Sequence, residues 1–360
     1  MRTIIRNLAA HILVLSGLAT ACPASLADTR TDEAQSNKHS VAGAAPRARV
    51  TFDCRGSSIL DELKASDPAA HDRILAEANA TANANTVFWK IEKDGLHPSY
   101  LFGTVHLTDD RVSTMSPTVL DAIGRSRIVL LEVADLSPEA TSAALAATAK
   151  LALFSAPQSL ATLLSPQEFA IVERTLENAG LPPSTARVYR PWIVSMMLSS
   201  TACERRNVQS GEPVLDRRIA DEAKSRGIEI SGLETLESQL QAMASVPEDQ
   251  QIDMLRAGLS YADRTDDLVE TMIELYLSRR MGALWPLQIE LAQKSGIGAA
   301  SFAGFHDALI DRRNTRMRSV AMPHLEKGGA FIAVGALHLS GTTGLVELLR
   351  QSGFTLTPAE

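Results

Sequence analysis

Residues 127–133, Arg-Ile-Val-Leu-Leu-Glu-Val, form a continuous apolar run closed by a carboxylate. A run of this length without polar alternation is what a strand buried on both faces looks like, and such a strand needs helices over a sheet to cover it. Period and turn chemistry place further strands at residues 86–92 and 98–106, joined by an Asp94-Gly95 turn, and at 228–230, 330–334 and 354–357. Helical periodicity occupies 57–80, about 138–226, 235–293, 303–324 and 342–352, with Pro157, Pro182, Pro183 and Pro191 as punctuation. Trp192, Met196 and Met197 read as the buried face of one of these helices. Strands at both ends of the chain with helices between predict an α/β fold. Its mixed central sheet is formed by the N- and C-terminal strands and carries a large helical insertion at about 138–226.

The first 27 residues combine Arg2 and Arg6 with an apolar run over 12–18 and small residues at Ser25 and Ala27, the pattern of a secretory signal peptide cleaved after Ala27. The run is shorter than the ~20 residues of a membrane span, and no other stretch of the chain is apolar for that long. Cys22 offers lipoprotein acylation as an alternative, although Leu18 stands one position early for it. Residues 28–49 are polar and small without an apolar period and read as a leader, leaving 50–360 as one folded domain. A periplasmic or secreted location follows, and there Cys54 and Cys203, the thiols left after cleavage, are expected to pair; two buried free thiols are the alternative.

Charge and motif content remove several functions. The 35 Lys and Arg against 42 Asp and Glu give a net charge of -7 without a basic stripe, which argues against a nucleic-acid partner. Aromatic residues are only 4%, which argues against base- or sugar-stacking platforms. No Gly-x-x-x-x-Gly-Lys, Gly-x-Gly-x-x-Gly or Gly-x-Ser-x-Gly occurs, so neither nucleotide binding nor a serine nucleophile elbow has support.

The chemistry lies in a repeated pattern. Strand residues 99–102 run into Gly103-Thr104-Val105-His106, and 330–334 run into Gly335-Ala336-Leu337-His338. Glycine frees the backbone to turn at the strand end and presents a His where α/β sheets build their ligand crevices. Glu132 closes the buried strand, and Glu234 follows the short strand at 228–230. A carboxylate in such a place is costly unless it is paired, hydrogen-bonded or metal-bound. Two imidazoles with one or two carboxylates are a donor set for Zn, Mn, Co or Fe. The alternatives are that each His only bonds a loop, and that Glu132 or Glu234 caps the next helix.

Taken together, Tyr100-Leu101-Phe102-Gly103-Thr104-Val105-His106, Leu131-Glu132-Val133, Gly232-Leu233-Glu234-Thr235 with Glu237 and Gln239 following, Arg313-Asn314 and Val334-Gly335-Ala336-Leu337-His338-Leu339 resemble the TraB/GumN family. The resemblance spans roughly residues 54–357, with Ala336-Leu337 departing from the variants common in relatives. That family is similar to the Tiki metalloprotease ectodomains and to the erythromycin-esterase and ChaN-like fold. The resemblance implies an active site of His106, His338 and Glu132 around a divalent ion, Mn, Co or Zn, with Arg313 and Asn314 completing the pocket. In that site Glu234 is the expected general base and Arg313 the group that stabilises oxyanion charge or a substrate carboxylate. Residues 311–314 lie on one expected helix, so Arg313 and Asn314 cannot share one target unless the axis points into the site; a solvated charged face is the alternative reading. The expectation is an exported metal-dependent hydrolase acting on a peptide or small molecule, most simply a peptidase. The runner-up is a binding or regulatory protein that sequesters such a ligand in the same pocket.

Overall fold

The structure, a computed structural model, describes residues 54–360. The expected signal peptide at 1–27, the acylation position Cys22 and the leader at 28–49 lie outside the described residues.

Strands β1 (Phe88–Glu92), β2 (Ser99–Thr104), β3 (Ile128–Val133), β4 (Glu229–Glu234), β5 (Ala330–Gly335) and β6 (Thr355–Pro358) form one sheet in the order β4-β3-β5-β2-β1-β6. The four strands β4, β3, β5 and β2 are parallel, while β1 runs antiparallel to both β2 and β6, so the sheet is mixed as expected. The chain leaving β3 goes to β4 on one edge, and the chain leaving β5 goes to β6 on the other. Adjacent parallel strands whose continuations diverge open a crevice at their carboxyl ends.

The burial of β3 confirms its apolar reading: Ile128, Val129 and Leu130 are fully covered. Ile128 and Leu130 face Met317, Ala321 and Leu325 of the helix Arg312–Leu325, while Val129 and Leu131 face the other layer, which holds the helices Pro117–Gly124 and Leu215–Ser225. A separate apolar cluster joins the helices Pro138–Ala152, Pro166–Asn178 and Pro191–Leu198 with Leu236–Ala244 and Glu248–Ser260, and Trp192, Met196 and Met197 are buried in it.

Among the differences from the sequence-based bounds, three have a clear local cause or bear on the site. The helix expected at 57–80 is two helices, Ile59–Ser66 and Pro68–Ala80, because Asp67 caps the second through its side chain and Pro68 starts it. The strand expected at 228–230 extends to Glu234. Its Ser231 and Gly232 have weak strand preference, yet they pair with Leu130 and Leu131 of β3. Glu234 therefore ends β4 opposite Val133 instead of lying beyond the strand. The helix expected at 303–324 contains a π-helical turn at Asp307–Asp311.

Cys54 and Cys203 form the expected disulfide, with Cα atoms 5.6 Å apart and 149 residues of separation. Replacing both by Ala is expected to lower stability by roughly 2–4 kcal/mol, read as a reduced urea midpoint with a steeper slope, because the uncrosslinked unfolded chain is less compact. An unaltered midpoint would remove the bond from the forces that hold the fold.

Candidate functional site

Each of the four parallel strands delivers a site residue at or just past its carboxyl end. His106 lies two residues beyond β2, Glu132 is the penultimate residue of β3, Glu234 ends β4, and His338 follows β5 by three residues. The two glycines of the repeated pattern work differently from the sequence expectation, because neither adopts a positive φ. Their role is close approach. A Cβ on Gly103 would sit 3.0 Å from Ala336 Cα, and one on Gly335 would sit 3.2 Å from Glu132 Oε1. The bare Gly335 instead donates its N–H to that same oxygen at 2.6 Å.

Glu132 is the centre of the arrangement. Its Oε2 accepts from Arg313 Nη2 at 2.7 Å and from Gln239 Nε2 at 3.0 Å, and its Oε1 lies 3.8 Å from His338 Nε2. Burial alone would raise its carboxyl. The Arg313 charge, then His338 and His106, outweigh that and hold it well below the usual carboxylate range. Glu234, with 1% of its side chain exposed, accepts from Arg313 Nε at 2.9 Å through Oε2. Its Oε1 is buried without a hydrogen-bond partner. The helix-capping alternative for Glu234 is not used, since Thr235 caps the next helix.

The residues 311–314 resolve into separate tasks. Arg312 pairs with Asp307 on the surface, whereas Arg313 is buried between the two carboxylates. Asn314 is fully buried, donates Nδ2 to the Thr343 carbonyl at 2.9 Å and sets Oδ1 2.7 Å from His338 Nδ1. Arg313 and Asn314 thus reach neighbouring targets, and the charged-face reading fails for both.

Each imidazole is held by its Nδ1. The amide donor of Asn314 is committed to Thr343, so its Oδ1 accepts from His338 Nδ1–H, which leaves the Nε2 lone pair directed toward Glu132. Burial first, then Arg313 and His106 against the pull of Glu132, pushes the His338 imidazole down to about 3 and keeps it neutral. His106 Nδ1 bonds Asp216 Oδ2 at 2.7 Å, and Asp216 Oδ1 accepts from Thr104 Oγ1 at 2.8 Å. Asp216 raises the His106 imidazole above its usual value, although with 40% of the side chain exposed water screens part of the attraction. The loop beyond His106 is pinned by Glu204, whose Oε2 accepts from both the backbone N–H and the hydroxyl of Thr108. Burial pushes the Glu204 carboxyl up.

Sequence reading missed Asp216. It stands 110 residues from His106, in the first turn of the helix Leu215–Ser225, where an acidic residue is an ordinary helix start. Gln239 was visible only as part of the family pattern, and Thr343 carried no signal because it acts through its backbone carbonyl.

The donor chemistry suits a divalent ion in kind. Two imidazoles pinned at Nδ1 by a carboxylate and an amide oxygen, each with Nε2 left over, beside a carboxylate, are what metal-ligating His residues and their supports look like. Among the described residues, however, no group of three or more His, Cys, Asp or Glu is drawn together closely enough to hold a metal ion.

The titration directions carry a prediction. His338 is depressed in the fold to about 3, so its contribution is present above the unfolded value of 6.5 and is lost as pH falls toward 3; depressed Glu132 adds a loss below 4.5. Raised His106 works in reverse, stabilising below 6.5 and fading in alkali, but less so because it is exposed. Thermal melts between pH 7 and pH 4 should therefore show a progressive drop in midpoint that is reduced in His338→Gln. Parallel curves for the two proteins would contradict it.

A mixed α/β sheet whose parallel strand ends gather two pinned His, two buried carboxylates and the Arg between them defines the class. The family model for the TraB/PrgY/gumN family matches residues 87–358, and the chain belongs to that family. The uncharacterized protein YbaP of Escherichia coli (strain K12) is 22% identical over 253 residues, covering 70% of this chain and 87% of YbaP. A human protein named Metalloprotease TIKI1 is 26% identical over 323 residues, 76% of this chain and 62% of that protein. A Metalloprotease TIKI homolog of Nematostella vectensis is 24% identical over 322 residues, 76% of this chain and 66% of that protein. No solved structure matches the chain.

Proposed function

We propose that this chain is an exported metal-dependent hydrolase, most simply a peptidase, whose His106, His338 and Glu132 would hold Mn, Co or Zn. Residues 50–360 form its catalytic domain, with the helical insertion at about 138–226. The observation that carries the reading is the matched pinning of the two imidazoles, Nδ1 of His106 by Asp216 and Nδ1 of His338 by Asn314, which leaves Nε2 of each ring as the nitrogen available to a ligand. The relatives named as metalloproteases point the same way. When bound, such an ion polarises a carbonyl and lowers the pKa of water. The chain's own residues do the rest. Asp216 and Asn314 fix the tautomer and direction of each imidazole. Arg313 holds Glu132 in place and offers positive charge beside the developing oxyanion. Glu234 is the candidate general base through its unpartnered Oε1, while its Oε2 anchors Arg313. The Cys54–Cys203 disulfide supports a periplasmic or secreted setting, and no helix among the described residues is long and apolar enough to cross a membrane.

One observation favours a second reading, a protein that sequesters a peptide or small ligand without cleaving it: both Glu132 oxygens are already hydrogen-bonded within the fold. Incubating the purified protein with Mn, Co or Zn and a peptide library separates the two. Cleavage that needs the metal and stops with a chelator supports the hydrolase; binding that ignores the metal, without cleavage, supports the module.

A further inference from the structure

A concave feature is lined by residues outside the candidate site. A cavity of about 680 Å³ opens between the helices Pro68–Ala80 and Leu284–Lys294 and the 3-10 turn Ala299–Phe302, with Arg73, Ile74, Trp285, Glu290, Phe302 and His306 on its walls. That volume lies in the range of ligand clefts, about 300–1,000 Å³. Aromatic residues are scarce in this chain, nine Phe, three Trp and four Tyr among 360. Even so, Trp285 meets Phe302 edge-on at 6.3 Å, stacks with Phe305 at 6.0 Å and meets His306 edge-on at 4.9 Å between ring centroids. Trp285, Phe305 and His306 are only half-buried. Large rings gathered around a hollow and left partly wet forgo burial that a core position would supply. The lining also has a polar part, where Arg73 Nη2 donates to both Glu290 oxygens at 3.1 Å.

A chain of hydrogen bonds joins the cavity to the strand-end site. His306 Nδ1 lies 3.1 Å from Asp311 Oδ2, and Asp311 Oδ1 accepts from Thr343 Oγ1 at 2.7 Å. The Thr343 carbonyl accepts from Asn314, whose Oδ1 holds His338. His306 precedes the π-helical turn Asp307–Asp311 and Asp311 ends it, and single π turns inside helices recur at functional sites.

We propose that this cavity is a subsite for an aromatic side chain of a peptide ligand, with Trp285 as its recognition surface and the Arg73–Glu290 wall facing the adjoining peptide amides. The peptide part of the proposal rests on the peptidase reading above; the aromatic part rests on the cavity. Ring faces and edges favour an aromatic occupant over an aliphatic one of equal size, because edge-to-face pairs add attraction beyond the area they cover. The charged groups of the lining, Arg73 with Glu77 and Glu290, do not repel a cationic side chain, so discrimination against one rests on the rings alone.

The test uses the full mature chain without added metal and N-acetyl-4-fluorophenylalaninamide as probe, followed by fluorine NMR. Saturable binding is expected, displaced by excess N-acetylphenylalaninamide and not by N-acetylalaninamide or N-acetyllysinamide. Trp285→Ala should weaken it at least tenfold, and Ala303→Trp, which fills the cavity from its rim, should do the same with a melting curve like that of the parent. His106→Ala, at the strand-end site, should leave it unchanged. Equal displacement by the alanine or lysine compound, or undiminished binding in both cavity variants, would overturn the subsite. Binding as expected in a protein that cleaves no peptide with any metal would retire the peptidase reading and leave the aromatic site standing.

Discussion

Arg313→Ala is expected to destabilise the fold by about 3–5 kcal/mol, because it strands two buried carboxylates at once. The guanidinium is 14% exposed and lies between Glu132 and Glu234, whose side chains are 10% and 1% exposed. Gln239 reaches both carboxylates but brings no charge. Urea unfolding should show the midpoint falling at unchanged slope. Arg313→Lys should recover only part of the loss, since one ammonium cannot reproduce two directed contacts made through Nε and Nη2. Arg313→Ala combined with Glu234→Gln should be more stable than Arg313→Ala alone, because one of the two stranded charges is gone. Acid gives the sign of the effect. Wild type loses stabilisation as pH falls toward the depressed Glu132 carboxyl, while the variant is relieved as its stranded Glu132 takes up a proton, so the gap between them narrows. A loss below about 1 kcal/mol, or a gap that widens in acid, would mean the carboxylates have other compensation.

The sequence made the frame of this site legible and left its supports hidden. Strand β3 was readable because its burial on two faces leaves no polar residue before Glu132. The two Gly-x-x-His segments were readable because they repeat. Strand β4 was truncated in the reading because Ser231 and Gly232 contribute nothing to propensity; they pair because β3 offers its edge, a contact made across about a hundred residues of chain. Gly103 and Gly335 were noticed for the wrong reason. A turn requires glycine only where φ is positive, whereas these positions are crowded by Ala336 and Glu132 against an added Cβ, which only the fold defines. Asp216 was out of reach for the same kind of reason: its function is fixed by the packing of Leu215–Ser225 against the sheet, and nothing local distinguishes it from other acids in a first helical turn. Arg313 and Asn314 were legible as residues but not as roles, because two adjacent helical positions point about 100° apart and serve one site only when their partners are themselves adjacent.

His106→Ala and His338→Ala are expected to reduce metal uptake to background and turnover below detection, with different costs to the fold. His106 is 40% exposed, and its loss leaves Asp216 to water and Thr104, so stability should move by no more than about 0.5–1 kcal/mol. His338 is 4% exposed, and its loss leaves the buried Asn314 Oδ1 unbonded, which costs about 1–3 kcal/mol. The supports should behave in a third way. Asp216→Asn and Asn314→Ala keep both imidazoles but release their orientation, so metal affinity should fall about 10–100-fold while uptake remains measurable at high metal. Metal content of protein purified without chelators, affinity by titration and thermal midpoint together separate these classes. Residues that merely tie strands to loops would give another pattern: wild type and all four variants equally free of metal, with midpoints lowered in proportion to burial alone. That outcome would end the shared-ion reading, and with it the hydrolase, whatever the likeness to proteins named as metalloproteases.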